Sequence, residues 1–275
     1  MWAVAFIPCF VTGGMTGVLL SVAPADFQFH NSYFLIAHFH HVLIGGVVFG
    51  YFAGLYYWWP KMFGFRLNET IGKWAFWLWN IGFYVCFMPQ YAVGLMGMTR
   101  RVNTYDFDMG WQPLNVISTV GGFIMGLAFL FQVWQIAHSI KFLKMDTTGD
   151  PWDARSLEWS IPSPAPVYNF ATIPHVDSQD YWWEEKQRRA KGIAPAPEAP
   201  LEPIHMPKNS GIPFILSFFW FVAGFGLVWG WLWMIILGFI GIAVCMLVRS
   251  FQYDTDYYIP VDEIISTEAA LRRTY

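Results

Sequence analysis

Six stretches of the chain are apolar over about 20 residues or more, which is the length that a helix needs to cross a bilayer. They lie at about residues 2–24, 33–59, 74–98, 114–140, 212–230 and 231–249. The last two meet at Gly230 with almost no loop, so we expect them to form a tight helical hairpin. The pattern predicts an all-α fold, a polytopic membrane helix bundle with about six transmembrane helices.

A polar stretch at residues 141–211 separates the fourth and fifth apolar segments and is rich in proline. Because proline at high density prevents long regular structure, we expect an extended surface linker with one short helix near residues 177–191. The chain thus divides into four parts. These are a four-helix membrane part at 1–140, the Pro-rich linker at 141–211, a transmembrane hairpin at 212–250 and a polar tail at 251–275.

The composition agrees with a membrane protein. Hydrophobic residues make up 56% of the 275 residues and charged residues 13%, whereas about 25% is usual for the charged residues of a soluble domain. This composition excludes a disordered chain. The three cysteines lie in apolar runs, which argues against a disulfide scaffold. A net charge of −3 gives no sign of a nucleic-acid partner.

The basic residues predict the orientation. If the six segments alternate across the membrane, all of the 16 Lys and Arg residues except Arg100 and Arg101 fall on one side. Positive charge is enriched on the cytoplasmic side of membrane proteins, so we expect the linker and the C-terminal tail to be cytoplasmic. Arg100 and Arg101 then need a reason to lie on the opposite side.

The second apolar segment contains His38-Phe39-His40-His41. Successive residues of an α-helix are about 100° apart, so His38 and His40 point about 200° apart and cannot share one metal ion. Each could instead bind a different prosthetic group, and a neutral imidazole is a common axial ligand of heme iron. The alternative is a pair of buried histidines that hydrogen bond to neighbouring helices. For His41, a structural role is the favoured interpretation.

Arg100 and Arg101 follow the third apolar segment, on the side where the second segment begins. Guanidinium groups bind carboxylates in bidentate fashion, so heme propionates are suitable partners. The alternative is that both side chains reach lipid phosphates at the interface. Asp26 and His30 open the second segment on this same side, where they either form a polar network over the propionates or are ordinary polar loop residues.

Several motifs together resemble the heme-copper oxidase superfamily, and within it subunit I of quinol oxidases of the cytochrome bo ubiquinol type. They are Ala25-Asp26-Phe27, His30-Asn31-Ser32, Ala37 to His40, Gly97 to Arg101, and the linker motifs Thr148 to Trp152, Leu157 to Trp159, Tyr168 to Phe170 and His205 to Asn209. The resemblance implies that His38 is the proximal ligand of a high-spin heme, of o or a type. It also implies that His40 is an axial ligand of a low-spin heme, of b or a type.

The same resemblance implies that Arg100 and Arg101 hold heme propionates, with Asp26 and His30 near them. It implies a respiratory terminal oxidase of the bacterial inner membrane, which passes electrons from quinol to O2, forms water and pumps protons. Its expected partners are quinol, O2, membrane lipid and oxidase subunits II, III and IV.

Subunit I of this superfamily has many more membrane helices than the six predicted here, and the resemblance covers only its C-terminal part. We therefore expect a missing N-terminal part to carry the second low-spin heme ligand and the histidines that bind copper. His138, His175 and His205 are not placed to replace them. The chain alone is then expected to be inactive.

Two choices remain open within the family. Oxidases that use cytochrome c usually have Asp where this chain has Asn31, and that Asp helps to bind a divalent cation. Asn31 lacks the charge, which favours quinol over cytochrome c as the donor and leaves any divalent metal near His30 undecided. Features of residues 105–119 resemble menaquinol oxidases, so the quinone type and the heme types stay open. The alternative to a quinol oxidase is the equivalent part of a cytochrome c oxidase.

Two hypotheses from other classes compete. The first is a structural membrane fragment that binds no heme without an N-terminal half. The second is a transporter with a histidine proton relay, which predicts broken helices within internal repeats. The sequence contains no convincing repeat, and the transporter hypothesis gives the paired arginines no role.

Overall fold

A computed structural model describes residues 1–145, 148–193 and 199–273, without the side chains of residues 272 and 273. Its α-helices are α1 (Trp2–Ser21), α2 (Ala23–Phe29), α3 (Tyr33–His40), α4 (Phe49–Phe63), α5 (Glu69–Leu95), α6 (Gln112–Phe142), α7 (Tyr181–Ala190), α8 (Ile212–Trp229), α9 (Leu232–Ser250) and α10 (Val261–Arg273). A π-helix, His41–Val48, joins α3 to α4, and 3₁₀ turns occur at Phe107–Met109 and Leu157–Ser160. The strands β1 (Ile204–Pro207) and β2 (Asp256–Ile259) pair antiparallel.

Five helices of the described chain are long and apolar enough to cross a membrane: α1, the continuous helix Tyr33–Phe63, α6, α8 and α9. The all-α membrane bundle is therefore confirmed, and five of the six predicted apolar segments lie on these helices. The third predicted segment, 74–98, lies within helix α5, which is long enough but not apolar enough. Asn80 and Gln90 lower its hydropathy, and both lie on a helix with many buried positions.

The chain forms two compact units, one of residues 1–165 with 178–187 and the other of residues 166–177 with 188–273. The division proposed from the sequence at residues 140, 211 and 250 stays a prediction. The tight hairpin is confirmed, because α8 ends at Gly230 in the left-handed conformation (φ 67°) and α9 begins at Leu232. The short linker helix expected near 177–191 is α7.

In the first unit, helix α5 packs closely against α3 and α6 because glycines remove the side chains between them. A Cβ atom on Gly94 of α5 would lie 2.1 Å from the backbone nitrogen of Phe34 in α3. A Cβ on Gly121 of α6 would lie 2.2 Å from the backbone nitrogen of Cys86 in α5. Small residues let helices approach to backbone contact, which is a common way to pack membrane helices.

Polar side chains in the α5–α6 contact hydrogen bond to one another. Gln90 Nε2 donates to Ser118 Oγ (2.9 Å), and Ser118 Oγ donates to the Cys86 carbonyl (2.7 Å). Trp79 Nε1 donates to Gln132 Oε1 over 3.0 Å. Since an unpaired polar group is costly in an apolar environment, these bonds explain how α5 can be less apolar than its neighbours and still lie among them.

The linker part that belongs to the first unit is attached to the end of α4. Lys61 Nζ donates to the carbonyls of Ile161 (2.7 Å) and Pro162 (3.1 Å) and lies 4.9 Å from the centre of the Trp159 ring. The Trp159 indole in turn donates to the Tyr57 hydroxyl over 2.9 Å. Because proline has no backbone N–H, the carbonyls of a proline-rich segment find few donors within the segment itself. Lys61 supplies such a donor.

A second attachment within this unit is ionic. Lys186 Nζ of α7 lies 2.5 Å from Asp150 Oδ2 and 2.8 Å from Asp153 Oδ1. Burial acts to lower the pKa of Lys186, but the hydrogen bonds and charges of the two aspartates outweigh it, so that pKa is raised. Lys186 therefore stays protonated and keeps its ion pairs with both aspartates, which hold α7 to the segment around Asp150.

Substituting Gly121 with Ala is expected to destabilise the bundle by about 1–3 kcal/mol, because the added methyl group would meet the backbone of α5 and force the helices apart. Gly122→Ala is the matched control, since a Cβ at Gly122 would meet no atom from another part of the described chain within 4 Å. Denaturant unfolding of each variant in detergent micelles, followed by circular dichroism, measures the difference. Equal stabilities would contradict the proposed packing.

Candidate functional site

The entrance of α3 is tied to the loop that follows α5. Tyr33 donates its backbone N–H to the Met98 carbonyl and Arg100 donates its own to the Asn31 carbonyl, both over 2.9 Å. The Ser32 hydroxyl caps the helix by accepting the N–H of Phe34 over 3.1 Å. The loop with Arg100 and the start of the histidine helix are thus fixed to each other by backbone hydrogen bonds.

His38 lies against α1. Its Nδ1 is 3.0 Å from the Thr16 hydroxyl oxygen, which is also 3.2 Å from the hydroxyl of Tyr91 on α5. Gly17 makes room for the ring, because a Cβ there would lie 2.9 Å from His38 Cε1. Three helices therefore contribute to the surroundings of this imidazole.

The bonds of Thr16 assign the proton on His38. The Thr16 hydroxyl donates its single hydrogen to the carbonyls of Thr12 (2.9 Å) and Gly13 (3.0 Å), which can only accept. Its oxygen is then left to accept, so His38 Nδ1 carries the hydrogen and donates it. The lone pair of His38 lies on Nε2, which is the tautomer that a metal-ligating histidine needs when its other nitrogen is held by a partner.

His40 lies against α5, away from the surroundings of His38. Its ring stacks on Phe87, with centroids 4.2 Å apart and planes 19° apart, and on Phe39 at 4.4 Å. His40 Nδ1 is 2.7 Å from the Ile36 carbonyl, which can only accept, so the lone pair again lies on Nε2. The two rings lie against different helices, as the 200° separation predicts.

His41 differs from both in its enclosure. It is 0% exposed, and its ring packs edge to face on Phe83 at 4.7 Å. His41 Nδ1 donates to the Ala37 carbonyl over 2.8 Å, while Nε2 is buried without a hydrogen-bond partner among the described residues. His38 and His40 are only half-buried, so part of each side chain is accessible to another group. The enclosed His41 has no such access.

The π-helix follows these histidines directly, over His41–Val48. π-Turns are rare and occur frequently at functional sites. Here the segment brings Gly45 against α1, where a Cβ would lie 2.5 Å from Cys9 Cβ. The altered winding thus coincides with the contact that holds the histidine helix to α1.

The two arginines have different environments. Arg100 is half-buried, and its Nε is buried with no hydrogen-bond partner in the described part of the chain. Arg101 is exposed and adopts a positive φ of 70°. A buried guanidinium nitrogen without a partner is a rare and costly arrangement, which an anionic group such as a propionate carboxylate would satisfy. The residues present therefore fit an anionic group at this place, and the propionate of a heme is one such group.

Asp26 and His30 lie in and just after α2. His30 is exposed, and its Nδ1 donates to the backbone carbonyl of Asp26 over 2.7 Å, which is a local bond within one helical turn. Within the described residues, neither arginine forms an ion pair with Asp26. The roles of Asp26 and His30 near a propionate stay predictions.

Thr16, Tyr91 and Phe87 are the neighbours of the histidines that sequence reasoning missed. Gly13 and Gly17, each within one turn of Thr16, are a signal that another helix approaches α1 there, but no pattern pairs Thr16 with His38. Among the described residues, no three His, Cys, Asp or Glu side chains come together in an arrangement that could hold a metal ion.

Residues 1–124 match the protein family described as "Cytochrome C and Quinol oxidase polypeptide I". Over 98% of its length the chain is 52% identical to quinol oxidase subunit 1 of Bacillus spizizenii, covering 41% of that protein. Over 98% of its length the chain is 47% identical to cytochrome bo(3) ubiquinol oxidase subunit 1 of Buchnera aphidicola, and it covers 40% of that protein. Over 99% of its length the chain is 44% identical to cytochrome c oxidase subunit 1 of Alkalihalophilus pseudofirmus, and it covers 45% of that protein. The chain thus spans less than half the length of these relatives.

Replacing Thr16 with Val is expected to remove the acceptor of the His38 Nδ1–H and of the Tyr91 hydroxyl. Leaving a fully buried donor unpaired costs about 1–3 kcal/mol, so a loss at or below this range is expected for the half-buried His38 and Tyr91. His38 should also begin to populate the other tautomer. Nitrogen-15 spectra of the imidazole rings in micelles, with denaturant unfolding beside them, measure both effects. Thr12→Val is the matched control, because among the described residues the Thr12 hydroxyl bonds only to the Pro8 carbonyl, on the helix surface. The same change in both variants would contradict the assignment.

Proposed function

Because the chain belongs to the family of cytochrome c and quinol oxidase polypeptide I, we propose that it is a C-terminal part of the catalytic subunit of a proton-pumping terminal quinol oxidase. The complete enzyme takes electrons from quinol and reduces O2 to water. One observation carries this proposal: His38 and His40 lie against different helices, and each has Nδ1 held by its own acceptor and a lone pair on Nε2.

His38 would hold the iron of the high-spin heme, and His40 would be one of the side chains that hold the iron of the low-spin heme. Heme bound there supplies electron transfer and the binding and reduction of oxygen. The chain's own residues hold and orient the ligands. Thr16 holds Nδ1 of His38, the Ile36 carbonyl holds Nδ1 of His40, and the Phe87 ring fixes the plane of the His40 imidazole.

Arg100 and Arg101 bind heme propionates at the entrance of α3. The unpaired Nε of Arg100 supports this role, because a carboxylate would supply the acceptor that it lacks. The exposed Arg101 contributes mainly charge at the edge of the site. Asp26 and His30 precede the entrance of α3 along the chain and would add polar groups near the propionates.

The remaining parts of the enzyme are supplied from outside this chain. The second low-spin heme ligand and the copper ligands belong to the N-terminal part of subunit I, and subunits II, III and IV complete the complex. The relatives named quinol oxidase and the uncharged Asn31 support quinol as the electron donor. The enzyme lies in the bacterial inner membrane, with the Pro-rich linker and the C-terminus in the cytoplasm, as the distribution of basic residues favours.

In the assembled oxidase that contains this chain, His40→Ala is expected to remove the low-spin heme absorbance, because the iron loses an axial ligand. His38→Ala is expected to remove the high-spin heme signal in the same way. Reduced-minus-oxidised visible spectra of the purified complex measure both. His138→Ala is the control. His138 lies near the end of α6, which contacts the start of α5, whereas Phe87 lies far from that start along α5. An unchanged low-spin spectrum in His40→Ala would overturn its role.

A second experiment separates the oxidase part from a structural membrane fragment. Since each heme receives one ligand from this chain, the purified chain alone should retain heme only weakly in a pyridine hemochrome assay. The complex should retain two hemes and oxidise quinol rather than reduced cytochrome c. A complex that contains the chain but no heme would support the structural alternative.

Arg100→Gln is expected to weaken heme retention in the complex more than Arg101→Gln, because Arg100 is half-buried and Arg101 is exposed. A charge-assisted hydrogen bond is worth about 1.5–3 kcal/mol, so the loss of heme should accelerate by about tenfold or more. The transfer of heme from each variant to apomyoglobin measures the rate. Equal rates in both variants would contradict the role given to the buried arginine.

A further inference from the structure

The second compact unit contains a cavity of about 530 Å³ at the open end of the α8–α9 hairpin. Because the two helices run antiparallel from the turn at Gly230, the start of α8 and the end of α9 are neighbours there. Its polar lining includes Lys208, Ser210 and Arg249, and its apolar lining includes Leu216, Cys245 and Met246. The cavity is thus cationic on one side and apolar on the other.

The hairpin itself indicates the depth of this cavity in the membrane. At the turn, Trp231 packs against Trp229 and Trp233, with ring centroids 6.5 Å from each. Tryptophan is enriched at the bilayer interface. The 18 residues of α8 extend about 27 Å from that turn, close to the thickness of the hydrocarbon core. The cavity therefore lies at the opposite interface, at headgroup level.

The charge of the cavity is not fully neutralised. Lys208 Nζ lies 2.5 Å from Asp254 Oδ2, so its charge is paired. Arg249 NH1 donates to the neutral Gln252 Oε1 over 3.0 Å, and no carboxylate lies within ion-pair distance of it in the described part of the chain. Arginine has five N–H donors in a fork that matches phosphate. The cavity thus has one cation with most of its donors available.

We propose that this cavity binds the headgroup of an anionic phospholipid, with the phosphate on Arg249 and an acyl chain on the apolar wall formed by Leu216 and Met246. A small free anion would bind the cation but would have no apolar part to pack against that wall. A lipid phosphate with its acyl chain matches the cation and the apolar wall together. Basic pockets between membrane helices at the cytoplasmic face bind anionic headgroups by this chemistry.

The test is native mass spectrometry of the full chain in mixed micelles that contain phosphatidylglycerol or phosphatidylcholine. The unchanged chain should retain phosphatidylglycerol in preference. Arg249→Gln should weaken that binding about fivefold, which is the effect expected for one cation at a membrane surface. Lys141→Gln is the matched control. It removes one charge from the exposed end of another membrane helix, where Lys141 lies 5.3 Å from the Phe142 ring centre.

A second variant tests the shape of the cavity separately from its charge. Leu216→Trp keeps both cations but fills the apolar wall, and it should also lower the retention of phosphatidylglycerol. Unaltered retention in Arg249→Gln, or an equal loss in Lys141→Gln, would overturn the proposal. Displacement of the lipid by an equal concentration of glycerol phosphate would also overturn it, because the site would then recognise a small anion alone. None of these outcomes depends on heme binding.

Discussion

The close approach of α5 to α3 and α6 is the constraint on which the rest of the first unit depends. At Gly94 and Gly121 the backbones come so near that a methyl group would not fit. The contact at Gly94 holds the end of α5 against the first turn of α3. The loop after α5 can then exchange backbone hydrogen bonds with residues 31–33, and this places Arg100 beside the entrance to the histidine helix.

The same contact explains why α5 is less apolar than the helices around it. A helix among other helices meets polar partners, so Gln90 and Trp79 can form hydrogen bonds with Ser118 and Gln132 of α6. A helix that faced lipid would leave those groups unpaired at a high cost. Low hydropathy in α5 is therefore a consequence of its interior position, although it makes the helix harder to recognise as a membrane segment.

The three successive histidines differ because of what surrounds them. In all three, Nδ1 donates to an oxygen, so the position of the proton does not distinguish them. Exposure distinguishes them, because His41 is completely enclosed while His38 and His40 are half-buried. A group as large as heme needs a free lone pair that it can reach, and of the three histidines only His38 and His40 are accessible in this way.

Hydrophobic pattern and helical spacing by themselves determined the membrane class, the hairpin at Gly230, the linker helix and the opposite orientation of His38 and His40. These features depend on neighbouring residues along one helix, so local sequence is sufficient to predict them. Only the tertiary structure shows which helix each histidine faces and that Thr16 forms a hydrogen bond with His38. The π-helix and the different burial of Arg100 and Arg101 are also visible only there. Periodicity shows how side chains are distributed around a helix axis, but contacts between distant segments depend on how closely the helices pack, and here glycines far apart in the sequence set that distance.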